Sequence, residues 1–79
     1  MNKLIRFTSP TCGMCRSVAR LMSEASIEHE VIDVTEDEDA AVYYGVQHLP
    51  AIVEVDEFGN IIARYNNYGE IIKLIKEYK

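Results

Sequence analysis

The chain is poor in cysteine, histidine, proline, glycine and basic side chains. Of its 79 residues, two are Cys, two His, two Pro and four Gly. The few prolines and glycines each fall where punctuation is needed. There is no linker, low-complexity tract or internal repeat. The longest apolar runs are only a few residues, well short of the ~20 that span a bilayer as a helix. Eight basic against thirteen acidic side chains leave a formal net charge of −5. Nucleic acid wants clustered Lys and Arg, so this balance offers no footprint for it. Met1-Asn2-Lys3-Leu4-Ile5-Arg6 runs straight into a strand-like segment. It lacks the apolar stretch of about 7–15 residues that a signal peptide requires. The expected setting is the cytoplasm, where structural disulfides are rare. The expected form is a monomer with neither nucleic acid nor membrane as partner.

What is present is an ordinary globular composition, 48% hydrophobic and 27% charged. The length predicts a single domain over residues 1–79, burying about 60% of its unfolded surface. A first strand is expected over residues 3–8, with Leu4, Ile5 and Phe7, ended by Ser9-Pro10-Thr11. A helix over 13–26 follows, because Val18, Leu21, Met22 and Ala25 recur on one helical face while Arg16 and Arg20 lie off it. A second strand is expected over 30–34. Thr35 and Glu38 have the spacing of a capping box, which predicts a short helix over 37–44 with Gly45 at its left-handed end. Strands over 51–56 and 61–65 flank the turn Glu57-Phe58-Gly59-Asn60, a hairpin. Asn67 and Glu70 form a weaker capping pair for a last helix carrying Ile71, Leu74, Ile75 and Tyr78. The order β-α-β-α-β-β-α predicts a parallel first pair, an antiparallel last pair, and one four-stranded mixed sheet flanked by three helices.

The two cysteines lie three apart, in Cys12-Gly13-Met14-Cys15, at the junction of first strand and first helix. At a helix start that spacing puts both on one side, about 5–6 Å apart, which suits both dithiol and disulfide. As a structural staple the bond is weak, roughly 2 kcal/mol for a four-residue loop against about 3 for fifteen. Zinc needs four ligands, and only His29 and His48 could join, without the usual short histidine spacing. Redox chemistry takes most of the weight. Cys12 would sit at the free N–H groups and positive dipole end of the helix, the place for an attacking thiolate, with Cys15 one turn inside as resolving thiol. Lowering a thiol from ~8.5 to ~7 needs roughly 2 kcal/mol, and the dipole supplies about 0.3–1. Direct N–H donation must add the rest. Arg16 and His48 are candidates to assist as cations, although a solvated role is the ordinary one for each. His29 reads as a surface residue at a strand entry, and Tyr43 and Tyr44 as packing at a helix end.

Cys12-Gly13-Met14-Cys15-Arg16 resembles the Cys-Gly-Pro-Cys-Lys site of thioredoxins. Tyr44-Gly45-Val46-Gln47-His48-Leu49-Pro50-Ala51-Ile52-Val53 resembles their Tyr-Gly-Ile-x-x-Ile-Pro-Thr segment, and Asp56-Glu57-Phe58-Gly59-Asn60 the following hairpin. The resemblance is to the thioredoxin/glutaredoxin superfamily and covers nearly the whole chain. It implies a minimal thioredoxin fold in α/β architecture, with Pro50 cis beside the cysteines and Leu49 offering its backbone to the substrate chain. Gly13 and Met14 would line the same surface. The length is that of a glutaredoxin, yet Gly13-Met14 fills the active-site pair, Leu49 precedes the proline, and Asn66-Asn67-Tyr68-Gly69 replaces the glutathione-binding Gly-Gly segment. Thr11 stands where thioredoxins carry an aromatic, and Arg6 where they carry a buried acid. Arg6 is therefore expected to reach solvent or an acid.

The resemblance implies a dithiol–disulfide oxidoreductase reducing protein disulfides, without metal or organic cofactor. Its electrons would come from a flavoprotein of the thioredoxin-reductase kind or another dithiol, and ribonucleotide reductase is one implied acceptor. The alternatives are a glutathione-dependent glutaredoxin and a non-catalytic thioredoxin-fold binding or metal-carrying module.

Overall fold

The computed structural model describes residues 2–78. Its elements are β1 (Lys3–Thr8), α1 (Gly13–Glu24), β2 (Glu30–Asp33), α2 (Glu38–Tyr44), β3 (Ala51–Val55), β4 (Ile61–Tyr65) and α3 (Tyr68–Glu77). The four strands form one sheet in the order β2-β1-β3-β4. The β-α-β crossover makes β1 and β2 parallel, and β3 runs antiparallel to both β1 and β4. This is the four-stranded mixed sheet that the order of elements predicts, and the thioredoxin fold that the resemblance implies.

Alternation along β1 and β3 divides the core in two. Leu4 and Ile52 face α1 and α3, where they meet Val18, Met22, Ile71 and Leu74. Ile5, Phe7, Ala51 and Val53 face the other side, which α2 covers through Ala40 and Tyr44. Phe7 and Tyr44 pack with tilted rings, their centroids 5.6 Å apart. Tyr43 meets Tyr44 edge-on but is itself 71% exposed, so only one of the two tyrosines belongs to the core. Because β1 and β2 are parallel and β3 antiparallel to them, Thr8, Asp33 and Ala51 reach the same end of the sheet. The loops after β1 and before β3 therefore meet there, and these loops carry Cys12 and Pro50.

Two local expectations are corrected. Thr35 does not cap α2: Asp33 Oδ1 accepts its amide at 2.8 Å and its hydroxyl at 2.6 Å, closing a turn after β2. The N-cap is Asp37, whose carboxylate accepts the Ala40 N–H at 3.1 Å. An Asx turn competes for the same hydroxyl, and a carboxylate two residues away does so more strongly. α1 ends at Glu24 with Ala25 as cap, and Ser26 follows at φ 55°, a left-handed conformation unusual outside glycine. No helix among the described residues is long and apolar enough to cross a membrane.

Candidate active site

Cys12 is placed by a turn and then used as a cap. Pro10 occupies the second position of the turn Ser9-Pro10-Thr11-Cys12, which the Cys12 amide closes by donating to the Ser9 carbonyl at 3.2 Å. The chain then enters α1 with Cys12 as its N-cap, and the Cys12 Sγ accepts the Cys15 N–H at 3.1 Å. A sulfur here does what Ser or Asp does at most helix starts. The first turn of α1 holds no acidic residue, so no carboxylate on the helix opposes negative charge on that sulfur. The two cysteines are joined in the structure with their Cα atoms 5.3 Å apart. Cys12 is partly exposed. Cys15 is 1% exposed, one turn inside, with its Sγ 4.0 Å from the Phe7 carbonyl. The strand before the motif thus backs the inner sulfur, a contact that the motif alone did not reveal.

Around this pair, Met14 is 47% exposed, and a Cβ added to Gly13 would meet nothing within 4 Å. The outer flank of the motif is open. Pro50 is buried, follows a cis peptide bond from Leu49, and leads into β3. Leu49 is half-buried against the core on the α2 side. Arg16 turns its guanidinium to the Pro10 carbonyl at 3.3 Å rather than to either sulfur. His48 is exposed and has no hydrogen bond or ion pair among the described residues.

Arg6 and His29 depart from expectation. Arg6 is only 9% exposed, on the sheet face beneath α1 and α3. It reaches neither an acid nor open water as its chief partner: its Nε donates to His29 Nε2 at 3.1 Å. Since arginine can only donate, the ring must carry its proton on Nδ1, which lies 2.9 Å from the Ile27 carbonyl and donates to it. His29 is thus a half-buried structural acceptor rather than a surface residue. Burial draws the Arg6 pKa below the ordinary arginine value, the cost of placing a charge there. With both ring nitrogens engaged, His29 is not a free metal ligand, which weakens the zinc alternative. No group of three or more His, Cys, Asp or Glu among the described residues could hold a metal ion.

Residues 4–58 match the family model described as Glutaredoxin. The chain belongs to the glutaredoxin family, among the thioredoxin-fold redoxins. Similar proteins of this redoxin carry thioredoxin names. It is 27% identical over 79 residues to the SPbeta prophage-derived thioredoxin-like protein YosR of Bacillus subtilis strain 168, covering 98% of this chain and 99% of that one. A probable thioredoxin of Archaeoglobus fulgidus is 32% identical over 79 residues, covering 92% of this chain and 85% of that one. Among solved structures, the thioredoxin of Fasciola hepatica superposes with a TM-score of 0.74 at 27% identity, covering 99% of this chain and 81% of the other. With its two cysteines at disulfide distance, this redoxin is a thiol–disulfide oxidoreductase.

Proposed function

We propose that the redoxin is a thioredoxin-like reductant of protein disulfides in the cytoplasm, with Cys12 as nucleophile and Cys15 as resolving thiol. The observation that carries this reading is the unequal setting of the pair: an accessible sulfur at a helix N-cap, a buried one behind it. In the reduced protein the Cys12 thiolate attacks one sulfur of a partner disulfide, forming a mixed disulfide and releasing the other partner sulfur as thiolate. Cys15, deprotonated, then attacks the Cys12 sulfur. The partner leaves as a dithiol carrying two electrons, and the 12–15 disulfide remains. Regeneration needs two electrons from outside, from a flavoprotein reductase of the thioredoxin-reductase kind or another dithiol. Leu49, held before cis Pro50, would align the partner chain through its backbone N–H and C=O, and Gly13 and Met14 would form the open flank. Ribonucleotide reductase is one candidate acceptor by resemblance.

The family match favours a second reading, glutathione as reductant. Against it, Asn66 and Asn67 are committed locally: Glu70 Oε1 accepts the Asn66 N–H at 3.2 Å and the Asn67 side-chain amide at 2.9 Å, while Asn67 caps α3. The test follows insulin reduction with NADPH and a thioredoxin reductase, beside the same assay with glutathione alone. Turnover with the flavoprotein is expected. Saturable turnover with glutathione alone would replace this reading with the second. A protein inert to insulin under both conditions, and in its chemically reduced form, would leave only a non-catalytic role.

A further inference from the structure

We infer that Arg64 is a positioning residue for the loop that presents Leu49 and Pro50. The inference rests on the proposed use of Leu49 to align a partner chain, and it names a determinant that lies outside both sequence motifs. Arg64 is on β4, opposite Val53 of β3, on the sheet face that α2 covers. Its Nε donates to the Tyr44 carbonyl at 2.9 Å, across 20 residues of sequence. That carbonyl belongs to the last residue of α2, where helical carbonyls lose their own partners.

The neighbourhood is built around this bond. The Ala41 and Val42 carbonyls at the end of α2 accept the Val46 and Gly45 amides at 2.8 and 3.1 Å. The Tyr44 carbonyl is taken by the arginine. Gly45 turns left-handed at φ 71°, and a Cβ there would stand 3.3 Å from the guanidinium. Glycine at 45 thus serves both the turn and the passage of Arg64. Beyond Val46, no backbone–backbone hydrogen bond outside the strands among the described residues involves residues 47–50. The loop hangs between two anchors, the start of β3 and the end of α2. Arg64 ties the second anchor to the sheet on which the first is built. Through that tie, β4 sets the span across which Leu49 is held.

Two uncharged substitutions isolate the bond. Arg64→Gln keeps an N–H donor at the position of Nε, and Arg64→Met keeps the stem length without a donor. Arg64→Met is expected to raise KM for insulin about 3- to 5-fold, as loss of one exposed hydrogen bond allows, with kcat within about twofold. Arg64→Gln is expected to stay within about twofold of wild type in both. In Arg64→Met, amide exchange at Gly45 and Val46, whose N–H groups close the end of α2, should quicken while that of β1 stays unchanged. Equal KM values for the two variants, or unaltered exchange at Gly45 and Val46 in Arg64→Met, would overturn the assignment. A wild-type protein inert to insulin would instead remove the function it rests on, with the exchange comparison still deciding whether Arg64 holds the loop. Should Arg64→Met fail to fold, Arg64→Lys gives the intermediate case, a single ammonium without the fixed fork, and an unchanged exchange pattern there would equally count against it.

Discussion

The helices begin in two different ways. α2 and α3 open on oxygen caps, Asp37 and Asn67, backed by Glu38, Asp39 and Glu70 in their first turns. α1 opens on the sulfur of Cys12 and has no acid in its first turn. The first arrangement secures a helix end with side-chain oxygens. The second leaves the positive end of the helix to a sulfur that can exchange bonds, and removes every carboxylate on that turn that would oppose its charge. On the proposed roles, the same unsatisfied N–H groups serve stability in two places and chemistry in the third.

The largest test of this contrast is Cys12→Ser. Serine is a good N-cap, so α1 should persist, with thermal stability close to that of the reduced wild type. Insulin reduction should fall to the background of the assay. A variant that still turned over would dissolve the distinction between α1 and the other two helices. Cys15→Ser comes next: the mixed disulfide with insulin should accumulate, visible by mass, because no buried thiol remains to release it. Near neutral pH, a limiting alkylating agent should modify Cys12 of the reduced protein before Cys15. The reverse order in peptide mapping would exchange their roles.

The oxygen caps should respond in stability alone. Asp37→Ala and Asn67→Ala are each expected to cost about 1 kcal/mol in denaturant unfolding. The Asn67 change should weigh more, since α3 packs Ile71, Leu74 and Ile75 into the core whereas α2 buries no residue fully. The smallest effect concerns pH. Hydrogen bonds from Thr35 hold Asp33 below the usual carboxylate range, and those from Asn60, with smaller help from Phe58 and Gly59, do the same for Asp56. A depressed folded-state value means stability that is complete above the unfolded pKa, ~3.9, and is lost as pH falls through the lower folded one. Acid unfolding curves of Asp33→Asn and Asp56→Asn should therefore be shallower than wild type below about pH 4. Tyr65 works at the other extreme. Burial, and then the charge of Glu54, raise its pKa, so folding favours the neutral phenol. That preference costs stability as pH climbs past ~10, where the unfolded chain ionises first. Tyr65→Phe should flatten the alkaline limb.

Much of this molecule was legible along the chain. Periodicity located α1 and α3, because a 3.6-residue spacing reports which side of a helix meets the core; strand-compatible runs between turn residues located the strands, and a capping signal located α2. The three-residue spacing of Cys12 and Cys15, at a strand–helix junction, was enough to place two sulfurs within bonding reach. Gly45 and Gly59 announced their left-handed turns. Local competition was harder to read. Thr35 looked like a cap, and only the geometry of the turn shows Asp33 claiming its hydroxyl and leaving the cap to Asp37.

What the order of residues could not decide was who meets whom across the sheet. Arg6 finds His29 because the parallel pairing of β1 and β2 brings residue 29 beside it, a neighbour 23 positions away. Cys15 is backed by the Phe7 carbonyl because α1 folds back over its own strand. Arg64 reaches the end of α2 because β4 lies beyond β3 on the face that helix covers. Local patterns fix local geometry, since their energies depend on residues a few positions apart. Side-chain partners depend on strand order and crossover, and those are settled only when the separate apolar faces are buried together.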